Sequence, residues 1–413
     1  MPQPSRASAS PPVSVRPRFG QGELAGTIAD LGVLVPIAVA LIVQNGLSAT
    51  AVLLPAGLLY VAAGLYYRLP VPVQPLKAFG AIAIAQGLGA NEIAAGALLM
   101  GGVFVVLGLS GWLDRVAKIF PLPIIRGIQL AVGLLFCKLA WMLTTTPPTA
   151  FADHTEPTWW LATGTLVVVL AGLAMPRRVV ALVLFVLTLL AVGLGAHGPL
   201  ALEPSALGPL ALGPLALGPS AIQWPELSID AFTTAAVVLV IPQLPLTFAN
   251  SCLATADAAR TYFGAAAARV QPGRLALSLG LANLLAGSIG GMPVCHGAGG
   301  MTAHYGFGAR TGGTPIILGA VLLVLALVLG ASLTMLLTSF PLPILAGLLA
   351  IAGLLHMALL KDLREPAHWA LAIAVGVTGF LANLAIALTA ALLVWWAVKA
   401  VMARRTQAGI DRC

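Results

Sequence analysis

The stretch 69-LPVPVQPLKAFGAIAIAQGL-88 reads first as a short strand and then as a short helix. Pro70 and Pro72 alternate with Val71 and Val73. Proline fixes φ, lacks an amide proton and biases the preceding residue toward extended backbone. Residues 70–74 are therefore expected to form a strand. Pro75 suits the first turn of a helix, which the apolar run carries to about Leu88. A second stretch, 290-GGMPVCHGAGGMTAHYGFGARTGG-313, repeats the plan. It is extended from Gly290 to Cys295 around Pro293, then helical from about Gly297 to Tyr305. Neither helix is long enough to cross a bilayer.

The rest of the chain says which solvent surrounds these two segments. Of 413 residues, 59% are hydrophobic and 8% charged. Mean hydropathy is +1.00. Soluble domains carry about 25% charged residues, so the solvent here is lipid. Apolar runs between polar or Gly/Pro breaks give fourteen candidate spans, at 24–43, 49–67, 75–88, 92–111, 123–143, 158–174, 179–196, 231–255, 274–288, 297–305, 313–332, 342–359, 366–381 and 384–402. The net charge of +8 is topogenic on such a chain and carries no implication of nucleic acid. Lys and Arg fill alternate loops, among them Arg68, Arg115, Arg177, Arg260, Arg310 and Lys361, and both termini. Loops 44–48, 144–157, 197–230, 289–296 and 333–341 hold none. Both termini are then cytoplasmic, in a plasma or bacterial inner membrane. The four cysteines are scattered without a CxxC pair, so neither a disulfide framework nor a zinc site is indicated. No metal or cofactor is expected.

The chain repeats itself. Phe120–Ile124 recurs as Phe340–Ile344 and Thr27–Asp30 as Thr247–Asn250, each 220 positions later, and Pro72–Gln74 recurs as Pro293–Cys295. Each half holds seven spans, an odd number, so the second half enters the membrane inverted. The expected fold is an all-α polytopic membrane protein with short strands before half-helices 3 and 10. Its expected parts are a disordered cytoplasmic tail (1–22), a first repeat (23–196), a Gly/Pro-rich extracytoplasmic linker (197–230), a second repeat (231–402) and a cytoplasmic tail (403–413). Inverted repeats typify secondary transporters, whose substrate sits near the midplane at interrupted helices.

The two half-helices then point their N-termini at each other. A helix N-terminus offers unpaired N–H groups and about half a positive charge, which suits an anion. Gly297, Gly299 and Gly300 would let a ligand approach the backbone. Lys77 lies in a first helical turn, where the dipole opposes it, inside a membrane segment, where charge is costly; a bound anion offsets both. Gln74 and His296 flank the helix starts and can donate hydrogen bonds. Asp30 is the one carboxylate deep in the first span, a candidate proton site or partner for Lys77. Thr27, Thr247, Asn250 and Ser251 are candidate supporting groups. Arg126 is expected to snorkel at a helix end. No nucleophile–base spacing or metal motif suggests an enzyme.

The two quoted segments resemble the signature segments of the molybdate transporter family, a branch of the sulfate permease superfamily. The resemblance implies two inverted seven-span repeats, a core set of spans moving against a gate set, and molybdate, a tetrahedral dianion, as substrate. It implies Gln74, Lys77 and residues 295–300 (Cys295, His296, Gly297, Ala298, Gly299, Gly300) as contacts. The expected function is secondary active molybdate transport by alternating access. Alternatives are a sulfate or broader oxyanion carrier, an anion channel, and a nucleobase permease, which would leave Lys77 and two helix dipoles without a negative partner. A co-transported proton and a second copy of the chain are candidate partners beside the lipid bilayer.

Overall fold

The computed structural model describes residues 16–147, 158–174, 216–338 and 341–410. The expected seventh span, most of the five-residue repeat in the linker and both chain ends lie outside these residues. The chain runs α1 (Gln21–Val43), α2 (Ala49–Tyr67), β1 (Gln74–Pro75), α3 (Lys77–Ala85), α4 (Ala90–Ser110), α5 (Leu113–Ala117), α6 (Leu122–Thr145) and α7 (Thr158–Ala174). After the undescribed segment come α8 (Ile229–Arg269), α9 (Pro272–Ser288), β2 (Val294–Cys295), α10 (Ala298–Phe307), α11 (Gly313–Val328), α12 (Gly330–Thr338), α13 (Leu342–Met357), α14 (Pro366–Thr378) and α15 (Leu384–Ile410). Among the described residues, six helices are long and apolar enough to cross a membrane, or seven if the two bent pieces of α1 count as one. Large apolar side chains such as Leu109, Leu381 and Leu393 face outward, as lipid contact requires. The protein is an integral membrane protein.

Two strands of two residues form the sheet among the described residues. They pair antiparallel, Gln74 opposite Cys295 and Pro75 opposite Val294. This corrects the expected strand of 70–74 and the helical start at Pro75. The pairing holds Pro75 extended, and Leu76 N donates to Pro293 O at 3.1 Å, so α3 begins only at Lys77. It ends at Ala85, short of Leu88, because Gly87 takes φ +60°. Leu88 N bonds back to Ala83 O and Gly87 N to Ile84 O, the hydrogen-bond pattern of a Schellman stop. The second half-helix starts at Ala298 with Gly297 as its cap and runs to Phe307, two residues past expectation.

The helices sort into two bundles. In the first, α4 lies along α9, α2 along α11, and α1 along α10. In the second, α6 packs on α13 and α14, and α7 on α13. The long helix pairs approach closely where glycines face each other. A Cβ on Gly64 would fall 2.5 Å from Gly312 O, and one on Gly133 would fall 2.7 Å from Gly353 O. In lipid, where apolar burial drives little, small residues at the crossing let backbones pack. The bundles touch mainly where α1 meets α13 and α3 meets α6, beside the two strands.

Helix α8 is one helical run with π-helical turns at Ala235–Val240 and Thr247–Ala254, longer than the expected 231–255. Helices α14 and α15, expected as separate spans, join through a π turn at Gly379–Asn383. Asn383 Oδ1 there accepts from Ala385 N and Ile386 N at 2.9 and 3.1 Å, a helix cap inside the run. The described end of the linker is docked to the first bundle. Ser220 bonds Thr50 N and Ser48 Oγ at the start of α2, and Gly218 N bonds Val328 O.

Glu23, on the first turn of α1, is buried and ties the loop 310–314 down. Its carboxylate accepts from Arg310 N, Thr311 N, Thr314 N and the hydroxyls of Thr311 and Thr314, at 2.7–3.2 Å. Thr311 and Thr314 flank the N-terminus of α11, where the dipole favours an anion. Glu23→Ala would strand several buried donors, each costing about 1–3 kcal/mol. The expected result is a loss of about 3 kcal/mol or more, seen as a lower thermal midpoint of the purified protein, while Glu23→Gln recovers part of it. An unchanged midpoint for Glu23→Ala would refute this.

Candidate functional site

The strand pair brings the two half-helix starts together. Gln74, the first residue of β1, donates from Nε2 to Asp30 Oδ1 at 2.5 Å and accepts at Oε1 from Lys77 Nζ at 2.7 Å. Gly297 and Gly300 sit directly against this pair. A Cβ at Gly297 would lie 2.9 Å from Gln74 Oε1 and 3.6 Å from Lys77 Nζ. One at Gly300 would lie 2.7 Å from Gln74 Nε2 and 2.9 Å from Asp30 Oδ1. The bare backbone at 297 and 300 thus admits the Gln74 amide and Asp30. Only Gly299 of the three faces open space, and it is exposed. Ala298, the first helical residue, is half-buried.

Asp30 is fully buried, and the expected pairing with Lys77 does not form. Asp30 Oδ2 accepts from Tyr60 OH at 2.6 Å and lies 3.0 Å from His304 Nε2. Lys77 reaches Asp30 only through Gln74, and among the described residues no carboxylate stands within ion-pair distance of its ammonium. The Lys77 ammonium thus stands at the positive end of the α3 dipole. The arrangement also differs from a symmetric pair of open helix starts. Phe79 N, in the first turn of α3, already donates to Gln243 Oε1 of α8 at 3.0 Å.

His296 is turned to a structural use. Nδ1 lies 2.8 Å from Pro72 O and Nε2 2.9 Å from Ser278 Oγ, and the ring packs edge-on to Tyr67. A carbonyl oxygen only accepts, so Nδ1 carries the proton and Nε2 accepts from Ser278. Cys295 Sγ–H points to Pro75 O at 3.7 Å, with buried Ser251 beside it. Thr247 Oγ1 accepts from Gln243 Nε2 at 2.9 Å, so it supports the cap on α3. Asn250 Nδ2 comes 3.6 Å from the Cβ position of Gly297, which puts it at the site's edge. Thr27 Oγ1 donates to Leu24 O of its own helix. Arg126, expected to snorkel at a helix end, extends to an exposed carboxylate. It bonds Gln129 and Asp362 within the second bundle.

Sequence reasoning missed His304, Tyr60 and Gln243. Each is a buried polar group in an apolar run, which in a membrane segment is itself a signal of function.

The profile of a family described as "Molybdate transporter of MFS superfamily" matches residues 22–136 and 235–355. Molybdate transporter 2 of Arabidopsis thaliana is 30% identical, covering 83% of this chain and 79% of that protein. Molybdate transporter 1 of Chlamydomonas reinhardtii is 29% identical, covering 88% and 90%. Among solved structures, the transmembrane domain of a cyanobacterial bicarbonate transporter, BicA, superposes with a TM-score of 0.63 at 20% identity, covering 89% of this chain and 97% of that one. The murine anion transporter Slc26a9 in its inward-facing state also gives 0.63, at 15% identity, covering 92% and 68%. The fold is similar to that of these two transporters. With more than half its length under that profile and 30% identity to a plant member over 83% of its length, the chain belongs to the molybdate transporter family.

Proposed function

We propose that this protein carries molybdate across the membrane by alternating access, with the dianion held at the facing starts of α3 and α10. The observation that carries the reading is Lys77. Its ammonium stands at a helix N-terminus with no carboxylate partner among the described residues, in a position that only an anion makes favourable. The opposite helix start, at Ala298–Gly300, supplies further backbone N–H groups. Contacts are Lys77, the backbone at 298–300 and, through its hold on Lys77, Gln74; His296 and Cys295 shape the strands behind them. The narrow contact between the two bundles supports movement of one against the other. On this reading the chain comprises fourteen spans in two inverted repeats, 23–196 and 231–402, joined by the extracytoplasmic linker 197–230, with both termini cytoplasmic and a proton carried with the anion.

The test is equilibrium binding of molybdate to purified protein with sulfate and uracil as competitors. Tight binding that resists excess sulfate and ignores uracil is expected. Equal competition by sulfate would make the protein a general oxyanion carrier. Competition by uracil, with no anion binding, would defeat the reading.

A further inference from the structure

We propose that Asp30 and His304 together hold the one proton that travels with the oxyanion, and that Gln74 transmits their protonation to Lys77. This rests on the anion-transport reading above and names the group that couples it.

Geometry fixes the count of protons. His304 Nδ1 lies 2.8 Å from Pro70 O, an acceptor only, so Nδ1 must carry hydrogen. Nε2 lies 3.0 Å from Asp30 Oδ2, at ion-pair distance without a well-aligned hydrogen bond. Both residues are fully buried. Two bare acceptors do not rest that close in a low-dielectric interior. One proton therefore lies between them, on Nε2 as an imidazolium–carboxylate pair or on Oδ2 as a neutral pair. Either form has zero net charge. Losing the proton leaves a buried net charge of minus one. His296 makes the instructive contrast. It has the same carbonyl contact on Nδ1, but a serine rather than a carboxylate at Nε2, so its tautomer is fixed and it has no counter-charge for a second proton.

Among the described residues, the other ionisable groups around the pair are engaged as donors or caps. Tyr60 of α2 donates to Asp30. Cys295 of β2 donates to Pro75 O. Glu23 of α1 caps α11. His356 of α13, within the field of Lys77, bonds Ala352 O through Nδ1. Lys77 of α3 is the remaining charge.

The coupling runs through one amide. Gln74 can donate to Asp30 and accept from Lys77 only in one orientation. It thereby links the charge on the pair to the ammonium that would meet the anion. A dianion, one ammonium and two helix N-termini of about half a charge each sum to about zero when the pair is protonated. Without that proton the loaded site carries about one net negative charge inside the membrane, which is unfavourable. Proton and anion therefore favour each other's binding, and the effect is reciprocal.

The experiment is calorimetry of molybdate binding to the purified protein in buffers of differing ionisation heat, from about pH 5 to 8. Wild type is expected to take up about one proton per anion over part of that range. Asp30→Asn mimics the protonated pair and should bind molybdate with no proton uptake and little pH dependence. His304→Gln should likewise take up none, and His368→Gln, at a half-buried site on α14, should match wild type. Wild-type proton uptake in either Asp30→Asn or His304→Gln overturns the proposal. So does loss of anion binding in both, which would make the pair part of the anion contact. Wild type that binds molybdate with no proton uptake overturns the coupling alone, whereas wild type that binds no molybdate overturns the transport reading beneath it.

Discussion

Lys77→Ala is expected to weaken molybdate binding about a hundredfold or more. Truncating one member of a buried charge pair costs about 2–5 kcal/mol, and about 2.7 kcal/mol already corresponds to a hundredfold. Lys77 is half-buried, and its partner is a dianion, so about a hundredfold is the expected size. The sign of the effect on the empty protein is what separates a binding lysine from a structural one. In the empty site the ammonium is opposed by the dipole of α3 and is stabilised by Gln74 Oε1 alone among described side chains. Lys77→Met, which keeps the bulk and removes the charge, should leave the empty protein as stable as wild type or more so. A lysine serving the fold would lose stability on the same change. Equilibrium binding and thermal unfolding with and without molybdate read both quantities. Wild-type affinity in Lys77→Ala would place the anion elsewhere in the molecule.

The parts of this site that were legible in the sequence are those coded locally. Alternating proline and valine before Gln74 forces extended backbone. The glycines at 297–300 mark a place where backbone is closely approached, and a lysine in an apolar helix demands a partner. What could not be read is which groups approach. His304 lies in the other half of the chain from Asp30, and only the packing of α10 on α1 brings them together. Asp30 therefore looked like the natural mate of Lys77, though Gln74 stands between them. Gln243 was hidden for the same reason, since the amide it caps is Phe79 N on another element. The expected span stops short of the end of α8 because the turns that follow, Thr255–Phe263, carry Asp257 and Arg260. Hydropathy falls there while the helix continues. The glycine and proline content of the linker does not reveal that Ser220 docks on the start of α2.

The glycines at the start of α10 give the second large effect, and they differ among themselves. At Gly300 an added Cβ would meet Pro72 Cβ at 2.7 Å, Gln74 Nε2 at 2.7 Å and Asp30 Oδ1 at 2.9 Å. None of these can yield freely. Pro72 is a rigid ring in the buried approach to β1, and Gln74 and Asp30 are held by each other and by Lys77, Tyr60 and His304. Gly300→Ala must therefore push α10 away from β1 or break the Gln74–Asp30 bond. Overpacking of this kind costs about 1–3 kcal/mol. A displaced helix start also loses its aim at the anion, so uptake into proteoliposomes should fall to about a tenth or less. Gly299 lies one residue earlier, and its Cβ position meets nothing within 4 Å. Gly299→Ala is expected to fold and melt like wild type. If the anion rests against this helix start, the methyl group intrudes on its space, and molybdate affinity falls while the thermal midpoint of the empty protein holds. Wild-type uptake in Gly300→Ala would contradict the tight packing at the crossing, and wild-type affinity in Gly299→Ala would move the anion off the first turn of α10.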